Sequence, residues 1–85
     1  MNMQNKKSLT ISASTLPTLL GPWHDSIRRA KASLPDCATL LDLSRAIYRT
    51  GLDYSRREAW ADVAHELKYM AGADNLCEVF VTVNL

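Results

Sequence analysis

One stretch constrains the fold of this chain more than any other: residues 54–72, YSRREAWADVAHELKYMAG. Trp60, Val63, Ala64, Leu67, Met70 and Ala71 recur at three- and four-residue steps, which gathers them on one face of an α-helix. Arg56, Arg57, Asp62, Glu66 and Lys68 fall elsewhere on the cylinder. Ser55 and Glu58 have the S-x-x-E spacing of a capping box, so the helix is expected to begin near Ser55, with Tyr54 packing on Ala59 as a hydrophobic staple. Gly72 follows the last apolar position and suits a C-terminal residue with positive φ. Trp60 alone should bury on the order of 200 Å². That is a large contribution in a chain of 85 residues, because so small a domain buries only about 60–65% of the surface its unfolded form exposes.

Such a helix needs a layer to lie on, and the two ends of the chain supply it. In residues 8–13, Leu9, Ile11 and Ala13 alternate with Ser8, Thr10 and Ser12, the period of two expected of a half-buried strand. In residues 76–83, LCEVFVTV, the positions Cys77, Val79, Val81 and Val83 alternate with Leu76, Glu78, Phe80 and Thr82, and β-branched residues dominate. Residues 1–7 are polar and are expected to form a flexible tail.

Between the strands the pattern is helical. Leu16, Leu19, Leu20, Trp23, Ile27, Ala30 and Leu34 are spaced three or four apart. Pro22 would kink a continuous helix at a cost of roughly 3 kcal/mol. A short turn at 17–20 is therefore expected, followed by a helix that Gly21 and Pro22 begin. Arg28, Arg29 and Lys31 then lie near its C-terminal end, where cations complement the dipole. Pro35 ends this helix and Asp36 offers a cap for the next. That second helix carries Cys37, Leu40, Leu41, Ala46 and Ile47 on its apolar stripe, with Leu43 and Tyr48 at the margins, and Gly51 closes it. A tight helix-turn-helix corner must join it to the tryptophan helix.

The expected fold is one α+β domain over 8–85, β-α-α-α-β, with three helices on one face of a two-stranded sheet. The valines of the second strand should face the helices. Glu78, Phe80 and Thr82 are then left toward the uncovered side, and they are the candidate partner-binding residues. A two-stranded sheet also has two open edges, which invite pairing with another chain. A homodimer that continues the sheet to four strands would cover both Phe80 and an edge.

Composition narrows the function. A formal net charge of +1 creates no overall field toward nucleic acid or an acidic membrane. Cys37 and Cys77 are far apart and form no C-x-x-C, which argues against a zinc site or a disulfide scaffold; both are expected as buried thiols in a reducing compartment. The N-terminal residues MNMQNKKSLTIS lack the apolar run of a signal peptide, and no window approaches the ~20 apolar residues of a membrane span. The expectation is a cytoplasmic protein without a membrane partner.

Catalytic signatures are weak. Asp62 and His65 have the i, i+3 spacing of two metal ligands, but only Asp36, Asp42 and Asp53 could add carboxylates from elsewhere. His24 and Asp25 are adjacent and are expected not to face each other. Nothing brings either cysteine beside either histidine, and there is no phosphate-binding glycine loop, G-x-S-x-G or H-E-x-x-H. No enzyme, cofactor or metal site is expected. Two binding functions remain. A helix-turn-helix corner would put Ser55, Arg56 and Arg57 at the start of its second helix, where such motifs meet nucleic acid, with Arg45 and Arg49 beside them and Lys6 and Lys7 as a basic arm. Against this, Glu58, Asp62 and Glu66 would face the phosphates. The favoured expectation is a small protein-binding or regulatory module of the accessory or inhibitor type. It would act through its sheet edge and face or through its arginine-bearing helical surface.

Overall fold

The computed structural model describes residues 7–12, 14, 19–35 and 38–85. Strand β1 (Lys7–Ser12) is followed by a 3-10 turn at Gly21–Trp23 that runs directly into helix α1 (His24–Lys31). Helix α2 (Leu40–Tyr48), helix α3 (Tyr54–Met70), a 3-10 turn at Leu76–Glu78 and strand β2 (Val79–Asn84) complete the chain. The order is the expected β-α-α-α-β, and the class is α+β. Ala13, the turn at 17–20 up to residue 18, Asp36 and Cys37 lie outside the described residues, as does the tail 1–7 except for Lys7, the first residue of β1.

The strands are parallel, with Lys7 opposite Val79, Leu9 opposite Val81 and Ile11 opposite Val83. Parallel neighbours need a crossover connection, and here the three helices form it. In this register Ile11, Val79, Val81 and Val83 are buried on the inner face, whereas Ser8, Thr10, Phe80, Thr82 and Asn84 belong to the outer one.

Helix α2 is the hub, packing on α1, α3, the turn at Leu76–Glu78 and β2. Neighbours on so many sides widen its buried arc. Leu43, expected at the margin, is fully buried, and so is Ser44, while Leu41 is only half-buried. The tryptophan helix leans on this hub. Trp60 is fully buried, donates its indole N–H to Ser44 Oγ at 2.9 Å, and meets the edge of Trp23 with ring centroids 5.1 Å apart. The hydrogen bond removes the penalty of burying two polar groups. Burial of Val63, Ala64 and Leu67 follows the expected stripe, but Met70 is exposed at the helix end.

Caps differ from expectation in an instructive way. Helix α3 starts one residue earlier, with Asp53 as its N-cap accepting from the Arg56 amide at 2.9 Å. Aspartate and serine compete for this role, and Asp53 reaches the amide first in the chain, so Ser55 becomes an ordinary exposed first-turn residue. The Tyr54–Ala59 staple is absent: both residues are exposed, because Tyr54 is already helical. A capping box does form in α2, where Thr39 and Asp42 satisfy each other's amides. Helix α1 ends at Lys31 instead of continuing to Leu34; the amides of Ser33 and Leu34 turn back onto Ala30 and Lys31 in tighter i→i+3 bonds. Gly51 and Gly72 close α2 and α3 with φ of 95° and 73°, as their positions implied.

The Trp60–Ser44 bond should appear as a coupled pair. Ser44→Ala leaves a buried indole N–H unpaired and should cost about 1–3 kcal/mol, whereas adding Ser44→Ala to Trp60→Phe should cost clearly less. Urea titration of the three variants measures this; strict additivity would show that the bond is not a unit. The two candidate caps separate as readily. Asp53→Ala should lose about 1 kcal/mol, while Ser55→Ala should stay within about 0.5 kcal/mol of the parent.

Candidate functional site

The sheet residues expected to meet a partner do not form one group. Phe80 and Thr82 lie on the outer face, with Phe80 half-buried and Thr82 exposed. Glu78 belongs instead to the 3-10 turn before β2, and its carboxylate accepts from the Asp74 amide and from Asn75 Nδ2 at 3.3 and 3.4 Å. That turn also resets the alternation, so Cys77 is exposed and not a buried thiol. Nor are both rims of the sheet bare. Thr39 bridges Phe80 in antiparallel sense, and the Val81 amide donates to Ala38 O at 2.9 Å, which engages β2 on the side away from β1.

The arginines are more coherent. Arg45 on α2 and Arg49 at its C-cap are exposed one turn apart, and Ser55, Arg56 and Arg57 are exposed in the first turns of α3. The Arg56 guanidinium lies 4.2 Å from the centroid of the Trp23 ring, and that of Arg57 lies 5.7 Å from the Tyr48 ring. Tyr48 stands beside Arg49 in the chain and one turn from Arg45, so it links the α2 pair to the start of α3. A guanidinium held against an aromatic face keeps its N–H edge available.

Among the described residues the single ion pair is His24 with Asp25 at 3.8 Å. These neighbours therefore approach each other, contrary to expectation, at the entry to α1. Among the described residues, none of Arg45, Arg49, Arg56 and Arg57 has a carboxylate partner. Two neighbouring acids are committed elsewhere, since Asp42 and Asp53 hold helix amides, while Glu58 follows Arg57 directly and is exposed. Along the rest of α3, Glu58, Asp62 and Glu66 are exposed, as is His65. No three His, Cys, Asp or Glu side chains converge into a metal-binding group among the described residues, and no described helix is long and apolar enough to cross a membrane.

Sequence spacing had no means of pairing Arg56 with Trp23 or Arg57 with Tyr48, since each contact joins two different elements, α3 with the turn before α1 and α3 with α2. Only the adjacency of two arginines after a cap hinted at the site. No family model, curated protein or solved structure matches the chain.

If Trp23 is the platform for Arg56, Arg56→Ala should cost roughly 0.5–1 kcal/mol and alter the tryptophan near-ultraviolet circular dichroism. Arg57→Lys should leave that spectrum as it is. An unchanged spectrum in Arg56→Ala would show that this guanidinium does not rest on the ring.

Proposed function

We propose that this chain is a non-enzymatic protein-binding module that docks an acidic surface of a partner protein on the arginine-bearing face of α2 and α3. One observation carries this reading: Arg45, Arg49, Arg56 and Arg57 are exposed without carboxylate partners among the described residues, and two of them are oriented against aromatic rings. Orienting a guanidinium before binding lowers the ordering cost at the interface, and its planar fork suits bidentate contact with a carboxylate. Complementary charge of this kind favours rapid encounter and correct register.

Nucleic acid is the alternative anionic partner, supported by the place of Ser55, Arg56 and Arg57 at the start of the second helix of the corner. The acids of α3 weigh against it. A helix laid into a groove would bring exposed Glu58, Asp62 and Glu66 toward the phosphates, whereas a protein surface of mixed charge can accommodate both signs.

Arg45→Glu with Arg49→Glu is the cleanest test, because among the described residues the guanidinium–ring contacts belong to Arg56 and Arg57. The tagged parent should retain a protein partner from its own cells, the double variant should lose it, and both should melt at the same temperature. Equal retention by the variant would sink the proposal. Duplex binding by the purified parent at about 50 mM salt that collapses by about 200 mM would transfer the surface to nucleic acid.

A further inference from the structure

The arginine surface has an apolar centre. Tyr48 and Leu52 pack against the edge of the core and are both half-buried, so part of each side chain remains at the surface. Three arginines surround Tyr48: Arg45 one turn back on α2, Arg49 next in the chain, and Arg57, whose guanidinium lies 5.7 Å from the ring centroid. Leu52 belongs to the link that carries the chain from Arg49 to the first turn of α3. Helix α2, this link and the start of α3 form one unbroken stretch of the described chain.

Resting on the reading of this face as a site for an acidic protein surface, we propose that the partner segment is acidic and apolar together. Its carboxylates meet Arg45, Arg49 and Arg57, and an aliphatic side chain among them covers the Tyr48 ring and Leu52. Charge complementarity selects the carboxylates, but ion pairs left in water contribute little by themselves. An aliphatic group laid over Tyr48 removes water from the same place and so strengthens the pairs around it. Tyrosine and arginine are also the residue types that dominate binding energy, and they do so at a desolvated centre with a polar rim. A ligand with anionic groups alone leaves Tyr48 and Leu52 wet.

The probes are two fluorescein-labelled peptides of equal charge, Glu-Glu-Leu-Glu-Glu and Glu-Glu-Ser-Glu-Glu, titrated by fluorescence anisotropy. The parent should bind the leucine peptide at least about fivefold more tightly, as expected for partial burial of one aliphatic side chain. Raising the salt from about 50 to about 200 mM should weaken both peptides and leave their ratio unchanged, because screening acts on the charges alone. The ring resonances of Tyr48 should move on titration of the parent with the leucine peptide, a readout that needs no variant. Tyr48→Gln, checked for folding by circular dichroism, should bind the two peptides alike. Equal affinity of the parent for both peptides, a preference that persists in folded Tyr48→Gln, or no binding of the leucine peptide tighter than about 1 mM would overturn the proposal. Arg45→Glu with Arg49→Glu should lose both peptides. Undiminished binding of the leucine peptide by that variant would sink the arginine reading itself, whereas equal binding of the two peptides by the parent would sink only the apolar centre.

Discussion

The bond from the Trp60 indole to Ser44 Oγ holds the helical layer in register. Both groups are buried, and each would be costly alone in the interior. Satisfied by each other, they specify how α3 can sit on α2, because the 2.9 Å contact survives neither a slide nor a rotation of one helix against the other. The rest of the packing follows from that placement. Trp23 meets Trp60 edge-on at an interplanar angle of 69°, which brings the beginning of α1 against the same cluster. Helix α2 is then enclosed between its neighbours and the strand, and its buried arc widens to include Leu43.

The same arrangement produces the charge pattern of the surface. Helix ends must satisfy amides that lack partners within the helix, and Asp42 and Asp53 are drawn into that work. Glu78 is likewise engaged by the turn preceding β2. Asp42 and Asp53, the acids closest in the chain to Arg45 and Arg49, are thus held by backbone amides. Meanwhile the packing of α1, α2 and α3 puts Trp23 and Tyr48 beneath Arg56 and Arg57. A chain whose formal net charge is only +1 therefore carries a locally cationic, oriented surface.

The sheet has a different balance. Two parallel strands are too few to be stable alone, and the inner face is covered by apolar side chains of the helical layer. At the rim of β2 the chain supplies part of a third pairing through Ala38 and Thr39, so the expected pair of bare rims does not describe the molecule. The outer face carries serine, threonine and asparagine around Phe80. These are side chains compatible with water, and they leave the oriented arginines as the stronger candidate for a partner.

Much of the fold was legible in the sequence because local periodicity encodes it. Alternation in LTIS and VFVTV, the three- and four-residue steps around Trp60, the proline at Pro22 and the glycines Gly51 and Gly72 each act within a few residues, and each appears in its element. Asp53 and Ser55 were nearly equivalent as caps by residue type, so only backbone geometry separated them. Cys77 was misplaced because a single 3-10 turn shifts the alternation by which strand faces are assigned. Strand direction, the hub role of α2, the Trp60–Ser44 bond and the seating of Arg56 and Arg57 on rings belong to the tertiary structure alone. Each depends on residues distant in the chain that meet only after the helices pack, and periodicity reports which side of an element is apolar, never what that side will touch.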